Sequence, residues 1–325
     1  MLLPAHEFVK PGTLKEGLEA LKKANGSAKL LAGGTDVIFN MRCGLMTPDI
    51  VISIKDLPEL NVVEELADGT LRIGGGCRLT DLVVDPLVVK RHPMLSKAIR
   101  AVGSVHVRNM GTLGGNLCLD TRCWYTNQTD TWRAAKEPCL KTGGDICHVI
   151  KSSDICVALN NADTPPALIA LDASVTLASV SGEREVPLGE FYCGDGIDHT
   201  VRRPDEILTM VTIPPTDDRT VFRKETPRKG IDFSYCTIAG RADGKGETVS
   251  SVKLVLGSIS MKPITLVRAS EIVEQAGLTD AAIEKAVEST RDELGALSNL
   301  YSPAAYKREL AKVLVKRALV WLRKK

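Results

Sequence analysis

The sequence predicts an α+β fold divided into two or three domains. Its 325 residues, 44% of them hydrophobic, are enough to bury separate cores in units of about 100 to 200 residues. Amphipathic helices alternate with short strands at the start of the chain, and hairpin patterns dominate further on. Local helices combined with largely antiparallel strands are typical of the α+β class.

Hydrophobic periodicity and turn residues predict the individual elements. After an initial strand and helix, they are the strand Lys29–Leu31, the helix Asp36–Met41, the strand Ile50–Ser53, a hairpin from Asn61 to Ile73 around Asp68-Gly69, a helix from Pro93 to Ala101, and the strands Ser174–Ser179 and Glu206–Ile213. Pro214-Pro215 is the best linker candidate. Beyond it we expect the strands Ser234–Arg241 and Thr248–Gly257, the helices Thr265–Ala276 and Thr279–Ser289, and a last helix opened by Ser302 and Pro303.

Charge and hydropathy exclude several classes of partner. Lys and Arg outnumber Asp and Glu by only two, so the net charge gives no reason to expect nucleic acid or an anionic membrane as the main partner. Because no signal peptide or long apolar run is visible, we expect the protein in a reducing cytoplasm. In that compartment, clustered thiols bind metals or carry out redox chemistry more often than they form disulfides.

Two glycine-rich loops are the first candidates for a binding site. Leu31-Ala-Gly-Gly-Thr-Asp36 places paired glycines between a strand and a helix, where backbone N–H groups can approach a phosphate. Gly111-Thr-Leu-Gly-Gly-Asn116 offers the same freedom, with Thr112 and Asn116 as side-chain donors. Two such loops could hold both phosphates of a dinucleotide. Neither is the G-x-G-x-x-G of a Rossmann fold, however, and paired glycines also occur in ordinary tight turns.

Longer runs around these loops resemble a known family. Leu30–Val37 and Val107–Leu117 are similar to the two FAD loops in the medium, flavoprotein subunit of the xanthine oxidase and carbon monoxide dehydrogenase family. The resemblance covers essentially the whole chain and extends through Asn161–Ala167, Glu206–Leu208 and Phe222–Arg228. It implies a FAD-binding region of the PCMH/VAO type in two subdomains, residues 1–57 and 58–215, and a C-terminal α/β domain of the CO dehydrogenase flavoprotein type, residues 216–325.

The resemblance also implies which residues contact FAD. The first loop would wrap the pyrophosphate and the second would complete its cradle, through Leu31, Ala32, Gly33, Gly34, Thr35, Asp36 and Val37 and through Thr112, Gly115 and Asn116. Asp163 would contact the adenosine side, while Leu208 and Lys224 would lie near the isoalloxazine ring, where a cation could stabilise an anionic reduced flavin. From the residues alone, Asp163 could also be a turn former before Pro165, and Lys224 a solvated surface lysine.

A cysteine-rich insertion at about residues 119–160 departs from the family pattern. Its four cysteines, Cys123, Cys139, Cys147 and Cys156, are separated by 15, 7 and 8 residues. These spacings fit neither a zinc ribbon nor the C-x2-C-x2-C run of bacterial ferredoxins. Four thiols confined to a segment with few apolar residues nevertheless favour a metal centre, which would contribute folding energy to the insertion.

The insertion resembles that of the 4-hydroxybenzoyl-CoA reductases, a branch of the family whose FAD subunit holds an additional 4Fe-4S cluster through four cysteines. The resemblance makes Cys123, Cys139, Cys147 and Cys156 the ligands, with Cys118 as a packing residue near the flavin. Trp124, Tyr125 and Trp132 would either shield the cluster or form a small core of the insertion, and His148 would be a surface residue. The remaining cysteines, Cys43, Cys77, Cys193 and Cys236, are scattered, and we expect ordinary buried thiols.

The function that follows from these resemblances is electron transfer. No paired acid and base or nucleophilic triad is recognisable, so the chain would be a relay and not the site of substrate chemistry. Electrons would pass from a low-potential donor such as ferredoxin, through 4Fe-4S and FAD, to 2Fe-2S and molybdenum centres on a small and a large partner subunit, in a dimer of heterotrimers. There, 4-hydroxybenzoyl-CoA would be reduced to benzoyl-CoA and water.

Two other functions remain open from the sequence. The chain could be the FAD subunit of a molybdenum hydroxylase whose insertion holds a structural zinc or no metal. It could also be an assembly module that has lost its flavin, although the donors Thr35, Asp36, Thr112 and Asn116 are intact.

Overall fold

The computed structural model describes residues 2–228, 230–294 and 303–324. Within these ranges the strands form three separate sheets, with helices packed against them. This mixture of helices and mainly antiparallel sheets confirms the α+β prediction. None of the described helices is both long and apolar enough to cross a membrane.

The first sheet is small and parallel. Its strands β1 (Glu7–Val9), β2 (Ala28–Leu31) and β3 (Ile50–Ser53) lie in the order β1-β3-β2. Parallel strands require a crossover connection, and the helices α1 (Leu14–Lys23) and α2 (Val37–Arg42) lie in the two connections. The first glycine loop therefore lies between the carboxyl end of β2 and the start of α2.

The second sheet is antiparallel and carries most of the helices. Its strands, in the order β4-β5-β8-β6-β7, are β4 (Val63–Glu65), β5 (Leu71–Gly74), β6 (Ser174–Ser179), β7 (Gly182–Pro187) and β8 (Ile207–Ile213). Between β5 and β6 lie α3 (Leu79–Val84), α4 (Pro86–Arg91), α5 (Pro93–Arg100), α6 (Val105–Met110), α7 (Leu113–Leu117), α8 (Asp130–Ala134) and α9 (Thr164–Ala170). Short 3-10 turns are found at Pro58–Leu60, Leu140–Thr142 and Leu188–Glu190.

The third sheet belongs to the C-terminal part of the chain. Its antiparallel strands, in the order β12-β11-β10-β9, are β9 (Arg219–Glu225), β10 (Cys236–Lys245), β11 (Thr248–Gly257) and β12 (Ile264–Thr265). The helices are α10 (Val267–Ala276), α11 (Asp280–Glu293) and α12 (Ala304–Lys324). Thr265 pairs in β12, so α10 starts two residues later than the sequence predicted. Ser302, the predicted cap of the last helix, lies outside the described residues.

The hydrophobic core connects the C-terminal sheet to the part that precedes it. The largest buried cluster joins the second sheet to α3, α5 and α9, and it also contains Ala239 of β10 and Val255 of β11. A second cluster lies between the third sheet and its helices, and a third lies under the first sheet. Shared burial of this kind holds β9 close to α5, and β10 and β11 close to α9.

Candidate functional site

The two glycine loops lie directly against each other. A Cβ atom on Gly33 would overlap the carbonyl oxygen of Met110 and crowd Gly111, so only glycine fits at this contact. Gly34 has a φ of +73°, a left-handed conformation that also favours glycine. The structure therefore brings the two loops of the sequence analysis together through their backbones.

The second loop is hydrogen-bonded to the turn that follows β5. Gly114 N donates to Gly75 O at 2.9 Å, and Leu113 N donates to Cys77 O at 3.0 Å. A Cβ on Gly114 would lie only 2.8 Å from Gly75 O. The run Gly74-Gly-Gly76 forms the turn at the end of β5, and no pattern in the sequence indicates that it also supports the second loop.

Thr112 and Asn116 have structural partners within the site. Buried Thr112 is the N-cap of α7, and its Oγ1 accepts from Gly115 N at 3.1 Å. Buried Asn116 accepts at Oδ1 from the Thr164 hydroxyl at 2.6 Å and from Thr164 N at 3.3 Å. Asn116 thus ties the second loop to the start of α9, beside Asp163.

Asp163 and Lys224 form an ion pair between the two halves of the chain. Asp163 Oδ2 lies 2.8 Å from Lys224 Nζ, which also donates to Ala101 O at 2.9 Å. Burial raises the pKa of Asp163 to about 6, against the opposing effect of Lys224. Lys224 is largely buried, so the interpretation as a solvated surface lysine is wrong. Asp163 makes no capping bond at the start of α9, which removes the simple turn-forming role as well.

The contact between Asp163 and Lys224 bears on their separate roles. The resemblance places one near the adenosine and the other near the isoalloxazine ring, which are opposite ends of FAD. The structure shows that the two side chains contact each other. Their assignment to the two ends of FAD stays a prediction.

The other residues implied by the resemblance frame the two loops. Leu31 ends β2, Val37 begins α2, and Ala32 to Asp36 connect them. Buried Leu208 lies in β8, with its carbonyl oxygen against Gly75. Every predicted flavin contact thus belongs to one connected set of segments.

Polar atoms just before α9 fit a ligand rich in hydroxyl groups. Asn161 Oδ1 and Asp163 Oδ1 are buried acceptors with no hydrogen-bond partner in the described part of the chain. Buried acceptors without a donor are costly, and the ribityl and ribose hydroxyls of FAD are donors of the kind that they lack. The residues present therefore fit FAD.

All four cysteines of the insertion line one cavity. Cys139, Cys147 and Cys156 are buried and Cys123 is half-buried. The cavity is completed by Tyr125, Thr126, Leu140, Lys141, His148, Val149, Val157 and Ala158. The fold thus gathers thiols from across the insertion, although only the short helix α8 and one 3-10 turn lie between the first and the last of them.

The thiols differ in their hydrogen bonding. Cys139 Sγ lies 3.4 Å from Thr142 Oγ1 and 3.7 Å from Thr126 Oγ1, and Ile150 N donates to Cys147 Sγ at 3.5 Å. Burial would raise the pKa of Cys139, but the bonds from the two threonines outweigh it and lower this pKa. Burial raises the pKa of Cys156 to about 11. Cys139 is therefore the thiol best prepared to act as a thiolate.

The thiols around the cavity do not form a ready site for a single bound ion. In a tetrahedral zinc site with bonds of about 2.3 Å, the sulfur atoms are about 3.8 Å apart. Among the described residues, no three Cys, His, Asp or Glu side chains are close enough to hold one metal ion. Cysteines that bind a 4Fe-4S cluster each hold a different iron atom, so a cluster does not require thiols that converge on one point.

Lys141 fixes the cysteine cavity to the rest of the protein. Its ammonium group donates to Asp120 Oδ1 at 2.7 Å, to Thr121 Oγ1 at 2.6 Å and to Gly196 O at 2.8 Å. Gly196 in turn packs against Cys156, where a Cβ atom would lie 2.6 Å from the sulfur. The sequence analysis missed Lys141, because no local pattern distinguishes it from other lysines.

The aromatic residues of the insertion form a small group beside the cavity. The ring centroids of Tyr125 and His148 are 5.2 Å apart, and those of Tyr125 and Trp132 are 6.4 Å apart. His148 Nε2 also lies 2.7 Å from Glu137 O. His148 lines the cavity but is only half-buried, and its role as a surface residue stays a prediction.

The remaining cysteines follow the prediction with one exception. Cys43, Cys77 and Cys236 are buried, and half-buried Cys118 packs against the largest core. Cys193 is exposed and not buried, because it lies in the irregular segment between the last 3-10 turn and β8.

Comparison with known proteins agrees with the geometry. Residues 4–216 match the FAD binding domain in molybdopterin dehydrogenase, and residues 222–322 match the CO dehydrogenase flavoprotein C-terminal domain. The chain belongs to the FAD-binding medium subunits of the xanthine oxidase and carbon monoxide dehydrogenase family. It is therefore a subunit of a molybdenum-flavin oxidoreductase.

Relatives of this medium-subunit family cover nearly the whole chain. The glyceraldehyde dehydrogenase medium chain of Sulfolobus acidocaldarius is 27% identical, with 98% of each chain covered. The aldehyde oxidoreductase FAD-binding subunit of Escherichia coli is 29% identical, covering 95% of this chain and 96% of its own. The structure of carbon monoxide dehydrogenase from Hydrogenophaga pseudoflava superimposes with a TM-score of 0.83 at 25% identity, with 99% of each chain covered.

Proposed function

We propose that this medium subunit carries FAD together with a 4Fe-4S cluster, and that it relays electrons in a reductase of the 4-hydroxybenzoyl-CoA type. Electrons would reach the chain from a low-potential donor such as ferredoxin and leave it toward 2Fe-2S and molybdenum centres on partner subunits. Flavin accepts one or two electrons, whereas a cluster passes one at a time, so the two groups together join carriers of different capacity. At molybdenum, two electrons and two protons would convert 4-hydroxybenzoyl-CoA into benzoyl-CoA and water.

One observation carries this proposal: the four thiols of the insertion face a common cavity. Cys123, Cys139, Cys147 and Cys156 would each hold one iron atom. The hydroxyl groups near Cys139 would raise the potential of the cluster, because hydrogen bonds to cluster sulfurs stabilise the reduced form.

For FAD, we propose that the two touching loops hold the pyrophosphate. Backbone N–H groups of Ala32 to Asp36 would meet one phosphate, and Thr112, Gly115 and Asn116 the other. Asp163 would contact the adenosine side of the cofactor, while Leu208 and Lys224 would lie near its isoalloxazine ring. The positive charge of Lys224 suits an anionic group there.

The domain division and the partners belong to the same proposal. We place the FAD-binding subdomains at residues 1–57 and 58–215 and the C-terminal domain at residues 216–325. The relatives are described as medium chains, which supports a small subunit with 2Fe-2S clusters and a large subunit with molybdopterin as partners. We propose a dimer of such heterotrimers in the cytoplasm.

The alternative is the FAD subunit of a molybdenum hydroxylase whose insertion holds zinc or no metal. It draws support from the relatives named aldehyde oxidoreductase and glyceraldehyde dehydrogenase. We favour the cluster over zinc because four thiols line one cavity while no three metal-binding side chains of the described residues converge on a single ion.

The deciding experiment is purification of the protein under nitrogen, followed by its absorption spectrum and assays of iron, zinc and flavin. The proposal predicts about four iron atoms and one FAD per chain. Flavin with zinc, or flavin without any metal, would support the alternative. Absence of both flavin and iron would indicate an assembly module.

A substitution at Cys139 tests the assignment of the two sites. Cys139→Ser should remove the iron and leave the FAD content unchanged, because Cys139 lies outside the glycine loops. Cys193→Ser, at an exposed thiol outside the cavity, is the matched control and should retain both. Loss of FAD with retention of iron in Cys139→Ser would show that the sites are reversed.

A further inference from the structure

The insertion holds the helix after the first glycine loop by both of its ends. At the start of α2, Arg122 forms an ion pair with Asp36 and donates to Asn40 Oδ1 at 3.3 Å. Beyond its last turn, Arg133 donates to Cys43 O at 2.9 Å and to Gly44 O at 3.1 Å. The insertion is therefore attached to the first glycine loop, residues 31–36, although the two are far apart in sequence. This loop is called the flavin loop below.

Arg122 occupies the central position in this attachment. It directly precedes Cys123, and its carbonyl and amide groups pair with those of Leu159 in an isolated antiparallel bridge. Its guanidinium carbon lies 5.4 Å from the ring centroid of Phe233, in the segment between β9 and β10. One side chain thus contacts the flavin loop and the C-terminal part of the chain, while its backbone adjoins a cysteine of the cavity.

Electrostatics give Arg122 a role beyond packing. Asp36 lies in the loop to which the proposed function assigns the pyrophosphate, and its carboxylate would repel that dianion. Arg122 is largely buried, as is Asp36, so the attraction between them is little screened by water. Pairing with Arg122 offsets the negative charge of Asp36 and makes the loop compatible with a phosphate ligand.

We infer that Arg122 is a positioning residue that couples the cysteine cavity to the flavin loop, so that occupation of either site strengthens binding at the other. A metal centre in the cavity would order Cys123 and hold the neighbouring Arg122 against Asp36. Bound FAD would order Asp36 and α2 and hold Arg122 from the other side. Coupling between two sites is reciprocal and typically changes an affinity about 5- to 150-fold. The inference rests on the proposed function, since it takes FAD and a metal centre as the two ligands.

The test is a titration of FAD into flavin-free protein, followed by flavin fluorescence, with the iron centre either reconstituted or removed under nitrogen. In the wild type, the iron-loaded protein should bind FAD at least about fivefold more tightly than the iron-free protein. Arg122→Gln should weaken FAD binding by about tenfold in the iron-loaded protein and abolish the difference between the two forms. Arg42→Gln, at an exposed arginine of the same helix, is the matched control and should behave as the wild type.

A double variant distinguishes the charge effect from a general loss of structure. Asp36→Asn combined with Arg122→Gln removes the unpaired carboxylate, so it should bind FAD more tightly than Arg122→Gln alone. Equal or weaker binding in the double variant would overturn the electrostatic role. A wild type that binds both groups without any mutual effect would overturn the coupling and leave the proposed function intact. A wild type without iron would overturn the proposed function, and the inference with it.

Discussion

Lys224 and Asp163 lie 2.8 Å apart, and this ion pair joins β9 of the C-terminal sheet to the start of α9. Both side chains are largely withdrawn from water. A buried charge is tolerated when it is paired and hydrogen-bonded, and Lys224 meets this condition through Asp163 and Ala101 O. The pair therefore links the position of the C-terminal sheet to the place where the flavin contacts converge.

Loss of Lys224 should destabilise the protein and weaken FAD binding together. Lys224→Met leaves Asp163 buried without its partner, and breaking a buried pair in this way typically costs about 3 to 5 kcal/mol. Urea unfolding followed by tryptophan fluorescence measures the free energy of unfolding, and the flavin absorbance of the purified protein measures FAD content. Arg223→Met, at the exposed neighbouring residue, is the control.

The double variant Asp163→Asn with Lys224→Met separates the two effects. It should recover part of the stability, because no charge is left unpaired, but it should not recover FAD binding. Full FAD content in this variant would argue against any contact of the pair with the cofactor.

Gly33→Ala should separate the two glycine loops. The added methyl group would overlap the carbonyl oxygen of Met110, and because this neighbour is backbone it cannot rotate away. We expect a loss of about 1 to 3 kcal/mol of stability, typical of overpacking, and a FAD content well below that of the wild type. Thermal unfolding with and without added FAD measures both effects.

The control for this substitution is Gly189→Ala. The nearest atom to its added Cβ would be 4.0 Å away, on the Ile169 side chain. This variant should bind FAD normally. A Gly33→Ala protein with normal FAD content would mean that the close contact of the loops is not needed for the site.

Local patterns in the sequence predicted the elements and the loops well. Strand Ile50–Ser53 and the hairpin around Asp68-Gly69 are found as predicted, because alternating apolar residues and a turn dipeptide are signals within one short segment. The paired glycines Gly33 and Gly34 were recognised for the same reason. These signals do not depend on what the distant chain contributes.

Contacts between distant segments could not be predicted in this way. Lys224 and Asp163, Arg122 and Asp36, and Gly75 and Gly114 each come from different elements, and an ordinary lysine or arginine gives no local sign of its partner. The parallel pairing of the first sheet was missed as well, since side-chain alternation does not specify the direction of a neighbouring strand.

Loss of Lys141 should destabilise the protein and disturb the position of the cysteine cavity. Lys141→Met removes the hydrogen bonds that the ammonium group donates to Asp120 and Gly196, although both oxygens still accept one from Thr121. Hydrogen bonds to a charged group typically contribute about 1.5 to 3 kcal/mol. We expect a lower free energy of unfolding and, because Gly196 packs on Cys156, a reduced iron content after anaerobic purification. Lys136→Met, at an exposed lysine of the same insertion, controls for the loss of a positive charge. Unchanged stability and iron content would show that Lys141 is dispensable.

Buried His92 should make the protein less stable in mild acid. Neither ring nitrogen has a hydrogen-bond partner in the described ranges, and burial lowers the pKa of His92 from 6.5 to about 4. Between these two values the unfolded chain binds a proton that the folded protein does not, so stability falls as the pH falls through this window. The effect of this one group should approach about 3 kcal/mol at its lower end. Urea unfolding at several pH values between 4 and 7 measures it.

His92→Phe should remove this part of the pH dependence, because phenylalanine fills similar space and takes up no proton. The substitution His106→Phe, at an exposed histidine, controls for the loss of an imidazole elsewhere in the chain. Since the two ring nitrogens of His92 make no hydrogen bond among the described residues, His92→Phe should also leave stability at pH 7 unchanged or slightly raised. An unaltered slope in His92→Phe would mean that other groups cause the acid sensitivity.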